Sequence, residues 1–154
     1  MPYAQELKNI LCHLLKDTVD FAWHQTWAYA HNSTHEGFAN YGYSQDFMYR
    51  SIARTSRRIA TEIDADMVFP VGTAIQYLRE TEVGDSLCRD GFHLNELGRY
   101  TASCVWFEVL FGTDANTIEY YPTGQMTQRE AELARAAAHQ AVISPYGKLP
   151  AHNF

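Results

Sequence analysis

Asp90 and His93 stand three residues apart in the run Arg89-Asp90-Gly91-Phe92-His93-Leu94-Asn95. A histidine that moves protons needs a partner to fix its tautomer and steady the imidazolium, and a carboxylate on the same tight loop can do both. Gly91 gives that loop backbone angles closed to other residues. Asn95 is a good N-cap for a helix opening at Glu96, which would hold His93 at a rigid loop–helix junction. The same positions also suit a surface loop with a capping asparagine. Spacing alone does not decide between the two.

Other side chains invite chemistry less specifically. Trp23, His24 and Gln25 fall where a strand meets its loop, the end at which open α/β sheets build their sites. They could line a substrate pocket, with His24 or Gln25 hydrogen-bonding the ligand; equally, Trp23 could be core and His24 its polar neighbour. His31 and His35 are four apart but sit in a loop rich in Gly, Asn and Ser, without helical regularity or a fixed carboxylate or cysteine partner. No metal site is assigned to them. Phe38, Tyr41 and Tyr43 in that loop would suit stacking on a sugar ring, or would pack down on the domain. Cys12 and Cys104 read as buried free thiols and Cys88 as partly exposed.

The elements that must position these residues follow from periodicity. Leu7, Ile10, Leu11 and Leu14 predict a short amphipathic helix over 4–15. Residues 18–29, rich in β-branched and aromatic types, predict a strand running into a functional loop. Met48, Ile52, Thr55, Ile59 and Ile63 form one stripe of a helix over 45–64, with Arg50, Arg54, Arg57 and Arg58 on the opposite side, a solvated face in preference to an anion site. Residues 67–71 are a continuous apolar run, as in a parallel strand buried on both faces. A helix over 73–80 precedes the Asp90–His93 loop. The helix over 96–111 is apolar nearly all round and ends at Gly112, which predicts packing on several sides. Thr127 and Glu130 form a capping box for a last helix with an alanine face. The two strands should be parallel neighbours joined through the helix of 45–64 by a right-handed crossover.

Composition narrows the classes. The apolar share of 46 % reads as globular, and a net charge of −6 argues against a nucleic-acid partner. No apolar run is long enough for a membrane span, and the first fifteen residues lack the apolar core and cleavage site of a signal peptide. No compartment is assigned beyond the cytoplasm as default.

The Arg89–Asn95 loop, followed by a helix with Gly98 in its first turn, resembles the C-terminal catalytic block of the SGNH, or GDSL-type, serine hydrolases. Two runs upstream, Trp23-His24-Gln25-Thr26-Trp27-Ala28-Tyr29 and Pro70-Val71-Gly72-Thr73-Ala74-Ile75, are similar to two more blocks of one bacterial branch, known mainly as a domain of unknown function. The resemblance implies a three-layer, flavodoxin-like α/β fold. Residues 1–144 would be its C-terminal half, with two parallel strands and surrounding helices, and 145–154 a loose tail. It implies His93 as general base and then general acid, Asp90 as its orienting carboxylate, and Trp23, His24 and Gln25 along the substrate pocket. No cofactor is implied. The substrates would be small acyl esters, acetyl groups on carbohydrates among them.

Gly84-Asp85-Ser86-Leu87 spells the GDSL string. It reads as a coincidence, because the nucleophile block needs an apolar strand before it and Ser86 follows the charged run Arg79–Val83. The serine, glycine and asparagine blocks are therefore expected before Met1. On that expectation the chain is inactive alone, and it either meets a missing N-terminal half or self-associates through an open sheet edge. Two other readings stand beside this one. The half-domain could be a non-catalytic interaction module, or His24, His31 and His35 could bind a metal.

Overall fold

The structure, a computed structural model, describes residues 2–16 and 18–147. Among them the order is α1 (Pro2–Leu14), β1 (Ala22–His24), α2 (Gln45–Glu62), β2 (Met67–Phe69), α3 (Val71–Arg79), α4 (Glu96–Phe111) and α5 (Gln128–Ile143). β1 and β2 pair in parallel, with Ala22 opposite Met67 and His24 opposite Phe69, and α2 connects them. The expected α/β class and the parallel pairing are present. α2 packs on β1 and α4 on β2.

Helix ends follow local chemistry. Ser44 accepts from the Phe47 N–H at 3.2 Å, Asn95 from the Gly98 N–H at 3.0 Å, and Thr127 and Glu130 complete the capping box. Gly112 ends α4 at φ 62°. α3 starts earlier than its periodicity predicts. Pro70 cannot cap it with a side chain, and Gln25 of the neighbouring segment does so instead: its Oε1 accepts from the Thr73 N–H at 2.8 Å.

The predicted strand of residues 18–29 shrinks to three residues. β2 offers only Met67–Phe69 as a partner, because Pro70 has no N–H and α3 follows at once. The loop after β1 holds a 3-10 turn, Glu36–Tyr41, whose Phe38 is fully buried with Ala28, Met48, Tyr49 and Ala53. Phe38 is core and unavailable for sugar stacking. The main core lies among α3, α4 and α5, where Ala131, Ala134, Ala138 and Ala141 let α5 approach closely.

Two surfaces depart from expectation. Cys12 is exposed, while Cys104 is buried as predicted. The α1 stripe is uncovered, with Leu7, Ile10 and Leu14 all more than half exposed, because nothing among the described residues lies over it. α4 packs on several sides as expected, against α3, α5 and β2, while Trp106, Leu110 and Phe111 remain 40 %, 51 % and 70 % exposed. Of the tail, residues 148–154 lie outside the described residues. Pro145 is held, its carbonyl 2.7 Å from Thr73 Oγ1 and accepting from Gln25 Nε2 at 3.2 Å.

Candidate functional site

The Asp90–His93 loop is a pinned hairpin. Arg89 N–H donates to the His93 carbonyl at 2.9 Å, and Asn95 N–H to the Leu87 carbonyl at 3.0 Å. Three contacts fasten its tip to the loop after β1. Trp27 Nε1 donates to the Phe92 carbonyl at 2.7 Å, Ala30 N–H donates to the Gly91 carbonyl at 2.8 Å, and Gly91 packs on Ser33. Gly91 has φ 89°, which favours glycine, and a Cβ there would also crowd Ser33 Cα at 3.1 Å. Behind the tip, Phe92 packs against Tyr29 and His35 with ring centroids 5.8 and 4.8 Å apart. Phe38 of the aromatic loop thus packs down as a support, Tyr41 is half-buried, and Tyr43 stays exposed.

On this frame Asp90 Oδ2 lies 2.7 Å from His93 Nδ1. Asp90 Oδ1 accepts from the His93 N–H at 2.8 Å and the Phe92 N–H at 3.2 Å. The His93 amide, then the imidazole itself, hold the Asp90 carboxyl down at about 2. An ionised carboxylate fixes the ring proton on Nδ1 and leaves the Nε2 lone pair free, the tautomer a general base needs.

His93 opens on a cavity of about 660 Å³, lined also by His24, Trp27, Arg89, Arg99, Ser103 and Trp106. Trp106 stacks on Phe69 at 4.1 Å, and its indole N–H donates to His24 Nδ1 at 3.2 Å. Burial lowers the His24 pKa, so the neutral ring accepts that bond. Ser103 is the one hydroxyl-bearing side chain in the lining, and its Oγ donates to the Arg99 carbonyl four residues back at 3.0 Å, not to His93.

The sequence-predicted residues divide. His93 and His24 line this cavity, and Asp90 stands behind His93 at its Nδ1. Trp23 points to the other sheet face, toward α2. Gln25 is fully buried, its amide spent on Thr73 and Pro145, and it is not among the residues lining the His93 cavity. The three histidines of the metal reading have separate partners: His24 meets Trp106, His31 meets Asp85, and His35 caps Gly37. Ser86 is exposed, and Asp85 of the same string is a structural hub. Sequence reasoning missed Trp27 as the clamp, and Arg99, Ser103 and Trp106 on α4. Their spacing of 99, 103 and 106 along one helix was the available signal.

Among the described residues, a metal-type donor group does form at Glu108, Asp114 and His139. Its donors are satisfied by one another and the backbone. His139 Nδ1 lies 2.9 Å from Glu108 and 3.2 Å from Asp114, and Glu108 Oε2 accepts from the Ala115 N–H at 2.8 Å. It ties α4 to α5. No helix among the described residues is long and apolar enough to cross a membrane.

Comparison with curated proteins finds no match. A solved structure described as a DUF4886 family protein from Bacteroides uniformis ATCC 8492 is similar at 38 % identity and a TM-score of 0.89. The match covers 92 % of this chain and 55 % of that one, so this chain spans about half the relative's length. The family model for DUF4886, a domain of unknown function, matches residues 2–141, and the chain belongs to that family.

Proposed function

We propose that Asp90 and His93 are the acid–base pair of an SGNH-type serine ester hydrolase whose nucleophile and oxyanion donors lie on polypeptide outside these 154 residues. The observation that carries this reading is the 2.7 Å contact between Asp90 Oδ2 and His93 Nδ1, which leaves Nε2 without a partner among the described residues, beside a cavity. A serine hydroxyl supplied there would lose its proton to His93 Nε2 as its oxygen attacks the ester carbonyl. His93 would return that proton to the departing alcohol, and water would then release the acid by the same path. Asp90 stays ionised throughout and orients the ring. Within the chain, Ser103 is turned to its own helix and Ser86 follows no strand, so neither is positioned as the attacking group. Small acyl esters, acetylated carbohydrates among them, are the substrates this reading favours.

The test joins this chain, as a fusion or in trans, to the part of the Bacteroides uniformis relative outside the match, and follows hydrolysis of an aryl acetate. Turnover by the complemented enzyme, none by the chain alone, and none after His93→Ala are expected. Turnover that survives His93→Ala would remove His93 from the chemistry. The uncovered faces of α1 and α4 favour a second reading, a non-catalytic interaction module. Complexation without hydrolysis would select it.

A further inference from the structure

The His93 cavity is charged opposite to the chain that forms it. The protein carries a net charge of −6, yet among the described residues no aspartate or glutamate lines the cavity, and its fixed charges are the guanidinium groups of Arg89 and Arg99. His24 adds none, because burial keeps its ring neutral. The two arginines reach the cavity from different elements. Arg89 stands across the hairpin from His93, its N–H on the His93 carbonyl at 2.9 Å. Arg99 comes from α4, one turn before Ser103 and on the same helix face.

Both side chains have donors to spare. Arg99 Nη1 donates to Glu96 Oε1 at 2.9 Å, and Arg89 Nε lies 3.8 Å from Asp90 Oδ2. Nothing else among the described residues holds either guanidinium. Both ion pairs are well exposed, and pairs of that kind hold weakly. The unused nitrogens are free to grip a carboxylate or phosphate as a fork. A cleft of one sign on a protein of the other concentrates ligands of matching charge. Trp27 and Trp106 add apolar walls, so the cavity suits an organic anion better than a bare ion.

We infer that Arg89 and Arg99 form an anion-binding subsite beside His93, which selects esters carrying a carboxylate or phosphate group on the part held in this cavity. An acetyl ester of an acidic sugar is one substrate of this class. The arginines act on binding, while proton transfer stays with His93. The choice of ester rests on the proposed function; the anion subsite does not.

The chain alone tests the subsite. It is titrated with benzoate, with phenyl phosphate and, as an uncharged control, with benzamide, while nitrogen NMR follows the arginine Nε and histidine ring signals. An anion should shift Arg89, Arg99 and the His93 ring together, and benzamide should shift none of them. The shifts should shrink as ionic strength rises from about 0.05 M to about 0.5 M. The anion that saturates at the lower concentration tells carboxylate from phosphate. Arg54, exposed on α2 outside the cavity, is the reference. Shifts of equal size there, or none at Arg89 and Arg99, would overturn the inference.

In the complemented enzyme, an aryl acetate bearing a carboxylate or phosphate should exceed its carboxamide counterpart at least about tenfold in kcat/KM, each taken relative to its uncatalysed rate. Arg89→Gln and Arg99→Gln should each cut that preference about threefold or more, mainly through KM, and the double variant should abolish it. Arg99→Lys keeps the charge but loses the fork and should retain part of it. Circular dichroism should not change in any of them, since both side chains are exposed. Equal turnover of charged and uncharged acetates would overturn the inference and leave the esterase reading standing. Anion binding at Arg89 and Arg99 with no ester hydrolysed would sink the esterase reading and leave the subsite standing.

Discussion

Arg79 Nε lies 2.7 Å from Asp85 Oδ1, with the guanidinium almost wholly buried. The same carboxylate accepts from the His31 amide at 2.7 Å and from Gln45 Nε2 at 3.0 Å, and Arg79 Nη2 reaches the Ala28 carbonyl at 2.9 Å. Burial pushes Asp85 upward, but the His31 amide, Arg79 and the remaining donors outweigh it and hold its pKa below the ordinary value. Asp85 therefore ties α3, the start of α2 and the loop after β1 into one piece, the piece on which the Asp90–His93 hairpin rests.

Removing that carboxylate would strand a buried guanidinium. Asp85→Ala is expected to cost about 3 kcal/mol or more, the usual penalty for breaking a buried pair, and to lower Tm by about 6 °C or more. Ser86→Ala, one residue along the same string, should stay within about 0.5 kcal/mol because Ser86 is exposed. Thermal unfolding of the two variants checks this. Equal shifts would show that the hub is misread.

Gln25 makes a different prediction from the one its position in the sequence suggested. Its Oε1 caps α3 at Thr73, and its Nε2 reaches Pro145. Gln25→Leu leaves the Thr73 N–H without an acceptor in the core, at a cost of about 2 kcal/mol. The expected signature is a lower Tm with an unchanged KM in the complemented enzyme. A raised KM at unchanged Tm would return Gln25 to the substrate pocket.

The contrast between these residues shows what the sequence can carry. Helix positions were legible where caps and periodicity agreed, as at Asn95 and Thr127. The Asp90–His93 pair was legible because both members sit on one short loop, where spacing nearly fixes geometry. The role of Gln25 was not legible because Thr73 lies 48 residues away, and that of Asp85 because, beyond Arg79 six residues back, it reaches His31 54 residues away. Long-range hydrogen bonds leave no local period. The α1 and α4 stripes were read correctly as apolar, yet periodicity says only that a face is apolar and not what covers it.

Asp90 offers the sharpest test of the site itself. Its carboxyl, held at about 2 by the His93 amide and ring, should titrate well below the model-peptide value of about 3.9 when followed by carbon NMR. A depressed carboxylate contributes stability above the unfolded value, and that contribution is lost as pH falls from about 4 through about 2. Asp90→Asn should flatten this stretch of the acid-unfolding curve. An amide at the same position can turn its N–H toward Nδ1 and so favour the tautomer with the proton on Nε2, which cannot accept a proton there. Nitrogen NMR of the His93 ring should record that switch in the chain alone, without any assay. In the complemented enzyme the same variant should lose up to about 10⁴-fold in kcat, by analogy with the serine-protease triad. An ordinary Asp90 titration, with the His93 tautomer indifferent to Asp90→Asn, would show that the 2.7 Å contact does not orient the ring.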